Sequence, residues 1–191
     1  MPIKSKTELV EFINQDTKAS NRSSAKASFW GDEIWKFQIN LRKLEFYSYK
    51  CTRNKFYILH KLYYKFKHHH LSIKLGFSIP INVFDKGLSI PHYGHIVVNS
   101  KARAGKNCRI HEGVNIGATN GSDKAPIMGN NVFIASGAKI IGDITIADDV
   151  CIGANAVVVK SITEPGTTWG GVPAKKISDN NSHSNLSKAL F

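Results

Sequence analysis

The chain has 191 residues, 42% of them hydrophobic, with 26 Lys+Arg against 14 Asp+Glu and a formal net charge of +12. That is enough apolar material for one domain with an appended segment, which excludes wholesale disorder. No apolar run reaches the roughly 18 residues of a spanning helix, and Met1-Pro2-Ile3-Lys4-Ser5-Lys6 lacks the apolar stretch of a signal peptide. Cys51, Cys108 and Cys151 form neither a paired framework nor a Cys-x-x-Cys. The expectation is a reducing, cytoplasmic setting without a cysteine metal site.

Charge and glycine divide the chain near Gly76. Residues 1–75 hold 15 Lys+Arg and 6 Asp+Glu, a net of +9, and only Gly31 among the 15 glycines; residues 76–191 hold 11 and 8, a net of +3. The first part, 1–75, is expected to be a basic, aromatic-rich α-helical segment. Lys6–Ile13 suggests a short helix, the small polar run 17–27 a loop, and apolar spacings of three and four predict helices over 30–50 and 54–69. Its basic aromatic residues fit helix packing with solvated lysines, contact with an anionic membrane surface, or attraction of an acidic polymer. No nucleic-acid-binding motif occurs, so nucleic acid is not expected as a partner. His68-His69-His70 is read as a polar helix end without a ligand role.

Residues 76–177 carry an internal period of six. Ile96, Ala102, Cys108, Val114, then Val132, Ala138, Ile144, Val150, Ala156 and Ile162 fill one column. Val98, Ala104, Ile110, Ile116, then Ile134, Ile140, Ile146, Ile152 and Val158 fill another. Six is wrong for an α-helix and too long for a simple alternating strand; it predicts short strands separated by corners and stacked as a parallel β-helix, each coil completing its neighbour's core. The frame breaks at 119–126, a turn-rich stretch expected as a loop thrown from a corner. It breaks again around His92-Tyr93-Gly94-His95, where the earlier step Phe84 to Ile90 falls out of phase by two. Residues 178–191 are Ser/Asn-rich and expected as a flexible tail, with 186–191 able to dock as a short helix.

The pieces Asp85–His92, Val114–Thr119, Ala138–Asp143, Ile152–Val158 and Gly171-Val-Pro-Ala-Lys-Lys-Ile177 resemble the serine acetyltransferase branch of the hexapeptide-repeat acyltransferases. The resemblance implies a left-handed parallel β-helix with an N-terminal α-helical segment, a homotrimer, and acetyl transfer from acetyl-CoA without a metal. It makes His92 the general base that takes a hydroxyl proton; the residue also stands at a frame break, after Pro91 and beside Gly94. His111, near a corner, is a second catalytic candidate, and His95 is expected to face solvent. For CoA, the resemblance points to Gly117, Ala118, Ser136, Ala154 and Lys175, with Lys176 beside it facing phosphate. A zinc-dependent hexapeptide-repeat carbonic anhydrase is disfavoured because its paired histidines at five-residue spacing are absent.

Two departures bear on the acceptor. Pro91 stands where typical members carry the Asp that orients the histidine, and Ala125 where they carry a second histidine. Together with a likeness in Leu88–Gly94 and Cys108–His111 to surface-polysaccharide proteins, these favour a sugar-hydroxyl acceptor on capsule, O-antigen or precursor. The alternative is a serine O-acetyltransferase of cysteine biosynthesis, and the outsider a non-catalytic β-helix binding anionic polymers. Peripheral contact at the inner face of the membrane accompanies the cytoplasmic expectation.

Overall fold

The computed structural model describes residues 2–119 and 121–191. Met1 of the 1–75 segment and Asn120 of the 119–126 loop lie outside the described residues. Three helices, α1 (Lys6–Ala19), α2 (Glu33–Arg53) and α3 (Ile58–Leu75), precede the coils, with a 3-10 turn at Lys55–Tyr57. Ser5 starts α1 by accepting from the Glu8 N–H (3.0 Å), while the Glu8 carboxylate accepts from the Lys4 N–H (2.7 Å). This reciprocal cap satisfies backbone donors that the first helical turn leaves orphaned. α1 runs through residues 17–19, expected as loop, because Thr17 Oγ1 donates to Ile13 O (2.7 Å) within the helix. α3 also outruns its expected end at 69. His68 turns inward onto Ile79 O (3.1 Å) and stacks on Phe37, while Leu71 and Leu75 complete the buried face. Gly76, at φ +76°, ends the helix in the left-handed conformation.

The hexads become short strands on three faces. The first face stacks Phe77–Ser78, Ile96–Val98, Asn115–Gly117, Lys139–Ile141 and Val157–Val158. The second stacks Arg103–Ala104, Ile127–Met128 and Thr145–Ile146. The third stacks Arg109–Ile110, Phe133–Ile134, Cys151–Ile152 and Thr168–Gly170, and Lys175–Ser178 adds to it antiparallel. Parallel partners such as Phe133 and Cys151 lie three hexads apart, one per face. Across the 119–126 insertion the step is four hexads, as from Asn115 to Lys139. Both apolar columns point inward: Ile110, Ile116, Val132, Ile134, Ala138, Ile140, Val150, Ile152 and Ala156 are fully buried.

The first coil is longer by two residues. Phe84 bridges to Ala104 and Ser89 to Arg109, two positions beyond three hexads. Phe84 and Ile90 therefore occupy the column of Ala104 and Ile110, and the extra length falls in the turn 91–95. Gly94 N–H bonds Leu75 O (3.0 Å), and a Cβ on Gly76 would meet Gly94 at 3.3 Å, so the end of α3 seats this turn.

The tail expected to be flexible is instead packed. Ser182, Leu186 and Ser187 are buried; His183 Nε2 lies 2.8 Å from Asp149, and Ser187 bonds Asn21 beside α1. Its Ser/Asn composition caps exposed corner groups rather than dissolving in water.

The helices are fixed to the coils through one buried cluster. Arg42, on α2, is fully buried and donates to Asp16 (2.7 and 3.1 Å), Glu45 (3.1 Å), Phe84 O (2.8 Å) and Asp85 O (2.7 Å). Asp16, on α1, also accepts from the Gly87 (2.7 Å) and Leu88 (2.9 Å) N–H groups, and Glu45 from Asn82 N–H (2.7 Å). Burial pushes both carboxyls up from their ordinary values, and Arg42 opposes that shift. Removing one member leaves uncompensated buried charge. Arg42→Met is expected to lower the unfolding free energy by about 3–5 kcal/mol in urea titration. Lys101→Ala, at the exposed Lys101–Asp123 pair (3.7 Å), should change it by no more than about 0.5 kcal/mol.

Candidate active site

The corner joining the third face to the first brings the reactive side chains together. His92 stands on the two-residue-longer turn, and His111 and Glu112 follow the strand Arg109–Ile110. The His92 and His111 rings meet edge to face at 5.6 Å, and His111 leans on Phe133 at 5.1 Å. One ligand atom from each of His92, His111 and Glu112 lies within 4.8 Å of the others. Among the described residues this is the set with metal-ligand character; the same groups are suited to proton transfer. Gly94 (φ +137°) permits the approach, since a Cβ there would sit 3.0 Å from Glu112 Cβ.

The electrostatics separate the three groups. Arg109 Nε donates to His111 Nε2 (3.3 Å), which places the proton of the neutral ring on Nδ1. Partial burial, then the Arg109 charge, hold His111 below the ordinary histidine range, with Glu112 pulling the other way. A hydrogen bond from Ser136 holds the Glu112 carboxyl below the usual carboxylate range. Glu112 Oε2 is out of solvent with no hydrogen-bond partner among the described residues. Glu112 escaped the sequence reading; the available signal was an acidic residue directly after His111.

The other candidates divide between two corners. Ser136 and Ala154 stack beneath Glu112 on its corner, linked by Gly137 N–H to Glu112 O (2.8 Å) and Asn155 N–H to Ser136 O (2.9 Å). Gly117 and Ala118 lie at the next corner, across the first face, so one chain does not gather all four. Lys175 lines a separate cleft of about 340 Å³ with Lys160 and Trp169. Lys176 is held by Glu164 and Asp179, both at 2.5 Å, which removes it as a free phosphate ligand. His95 is exposed, as expected. Ala125 is buried, so a methyl in the core fills the position matched to the second histidine.

Small residues, Ser136, Gly137, Gly153 and Ala154, line the Glu112 corner, with Gly137 and Gly153 packed closely against Asn155 and Trp169. Beside Pro91 and Tyr93 opens a larger cleft of about 630 Å³ between the helices and the coils. Arg22, Lys74 and Arg109 line it with Asp32 and Glu33, so it offers both signs of charge. Ser20 Oγ and Arg22 Nε border it, out of solvent and without a hydrogen-bond partner among the described residues.

Known proteins match this arrangement. The pattern described as bacterial transferase hexapeptide (six repeats) covers residues 125–160. A serine acetyltransferase of Staphylococcus epidermidis is 31% identical over 154 residues, 75% of this chain and 70% of the relative. The structure of Neisseria gonorrhoeae serine acetyltransferase in complex with serine superposes at TM-score 0.65 and 27% identity, covering 91% of this chain and 71% of that one. Serine acetyltransferase of Brucella abortus in complex with coenzyme A superposes at TM-score 0.67 and 26% identity, covering 92% and 70%.

These relatives overturn the preference for a sugar hydroxyl on a surface polysaccharide, and with it the glycan as partner. The changes at Pro91 and Ala125 had been weighed as lost serine recognition. Yet a match over 75% of the chain reaches beyond the coils, and its relative is a serine acetyltransferase. The left-handed β-helix with N-terminal helices is shared with these structures. The chain belongs to the serine acetyltransferase family and is an acyltransferase that uses acetyl-CoA as its donor.

Proposed function

We propose that the protein is a serine O-acetyltransferase acting as a homotrimer, with His92 as general base and Glu112 orienting the histidine pair. The observation that carries this is the convergence of His92, His111 and the unpartnered Glu112 oxygen at one corner, close in sequence to Pro91, Tyr93 and Arg109 of the charged cleft. The cleft carries charged groups of both signs, Arg22 paired with Asp32 (2.6 Å) and Lys74 with Glu33 (3.0 Å), and a zwitterionic acceptor would exchange with these pairs. The trimer rests on family membership. The separation of Ser136 and Ala154 from Gly117 and Ala118 accords with a donor lying between neighbouring subunits.

Bound acetyl-CoA supplies the thioester. His92 takes the hydroxyl proton as the serine oxygen bonds to the thioester carbon. The developing oxyanion needs a hydrogen-bond donor, the role a backbone N–H would fill in the bound complex. When the carbon–sulfur bond breaks, the imidazolium returns its proton to the sulfur, leaving O-acetylserine and CoA. Pro91 cannot orient His92, and Glu112 supplies the carboxylate that Pro91 lacks. The contacts within the set are longer than hydrogen bonds, and such contacts commonly tighten only when substrate binds.

Release of CoA thiol from acetyl-CoA should depend on L-serine, and His92→Ala should reduce kcat by about 10²–10⁴-fold. Serine-independent release, or full activity in His92→Ala, would defeat this assignment. Glu112→Gln should lower kcat about tenfold or more with KM for acetyl-CoA unchanged, and Glu112→Asp should recover part of it. Since the base must be neutral, activity should fall as acid protonates the histidines. Glu112 raises the pKa of His111, so in Glu112→Gln the His111 ring should titrate at lower pH, as followed by NMR of its ring protons. An unmoved His111 titration would exclude contact between the Glu112 carboxylate and the histidine pair.

A further inference from the structure

The outer face of α3 takes no part in the site and is unusual for a water-facing surface. Phe56, Leu59, Leu62, Tyr63, Phe66 and Ile73 are 76%, 73%, 53%, 58%, 73% and 70% exposed. Leu59, Leu62, Tyr63 and Phe66 recur at three- and four-residue steps, which places them on one stripe; Phe56 lies in the preceding 3-10 turn, and Ile73 lies two turns on, beyond the exposed His69 and His70. The opposite face is fully used. Tyr64 stacks on Tyr47 (5.1 Å), His68 on Phe37 (5.0 Å), and Leu71 and Leu75 are buried against the first coil and α2. The exposed stripe is therefore surplus to what packing α3 requires, and it is contiguous, unlike the scattered apolar residues of an ordinary surface.

The sequence that carries it is basic. Between Glu45 and Asp85 the sequence has no acidic residue but holds Lys50, Arg53, Lys55, Lys61, Lys65, Lys67 and Lys74. Arg53, Lys55 and Lys65 are exposed beside the stripe, with Lys61 and Lys67 half-buried on its flanks. Two copies meeting stripe to stripe would bring like charges together. An apolar strip flanked by Arg53, Lys55, Lys61, Lys65 and Lys67 instead matches an anionic lipid surface, where the aromatic and leucine side chains enter the headgroup boundary and the lysines meet phosphate. No described helix is long and apolar enough to cross a membrane, so α3 would lie in the interface plane.

We infer that the exposed face of α3 from Leu59 to Phe66, with Phe56 of the preceding turn, docks the enzyme peripherally on a membrane surface rich in anionic phospholipid. The purified full chain is mixed with vesicles of phosphatidylcholine alone, or of phosphatidylcholine with phosphatidylglycerol, and sedimented. Binding is expected only to the phosphatidylglycerol vesicles, weakening as salt rises. The double variant Leu59→Ser/Phe66→Ser and the charge-reversed Lys55→Glu/Lys65→Glu should each bind about tenfold more weakly. Both should keep wild-type acetyl transfer and thermal midpoint, because these side chains are exposed and remote from His92. Equal binding to neutral vesicles, no binding to anionic ones, or variants that bind like wild type would each overturn the inference. So would a smaller solution mass for the leucine–phenylalanine variant, since a second copy would then cover the stripe.

Discussion

Everything distinctive about this molecule depends on Arg42. A fully buried guanidinium is stable only if its donors and charge are met. Here they are met by Asp16 from α1, Glu45 from α2 and two carbonyls of the first coil, Phe84 and Asp85. Asp16 in turn holds the Gly87 and Leu88 amides. One cluster therefore ties two helices to the coil that leads directly into Ser89, Ile90, Pro91 and His92. Apolar residues could fill that volume with equal or greater stability, but hydrogen bonds to specific carbonyls fix the angle of the helices on the coil. The cleft beside His92 exists because that angle is fixed, its walls being helix on one side and coil on the other.

The β-helix contributes the second fixed geometry. A strict hexad places Glu112, Ser136 and Ala154 at one corner, because each strand-and-corner unit consumes six residues and three units close a coil. The excursion at 119–126 adds one hexad without disturbing the stack, since the chain returns to the same face in register. Two extra residues at 91–95 cannot be absorbed in that way. They throw His92 off the regular surface and toward His111, and glycine at 94 gives the turn room against Glu112.

The acceptor shows how local losses mislead when weighed singly. Pro91 and Ala125 remove two side chains expected on the serine side, and Ala125 is indeed buried in the core. But a site is a sum of groups from several elements. Glu112, from the next coil, brings a carboxylate oxygen within 4.8 Å of the histidine pair, and the helices present further charged groups to the cleft. A carboxylate brought in by stacking leaves no trace in the motif around His92, which is why its loss appeared uncompensated in one dimension.

The sequence alone determined the period, and with it the coils, the inward columns, the inserted loop and the break at His92, because each is a local consequence of which residues repeat every six. It also set the basic, acid-free stretch from 46 to 84. Only the tertiary structure decided where the helices end, that the tail docks, and that Glu112 joins the histidines. Each of these turns on contacts between residues far apart in the chain: His68 with Phe37, Ser187 with Asn21, and Glu112 with His92. Such contacts form when stacking and the buried Arg42 cluster bring distant segments together, and no local pattern encodes that.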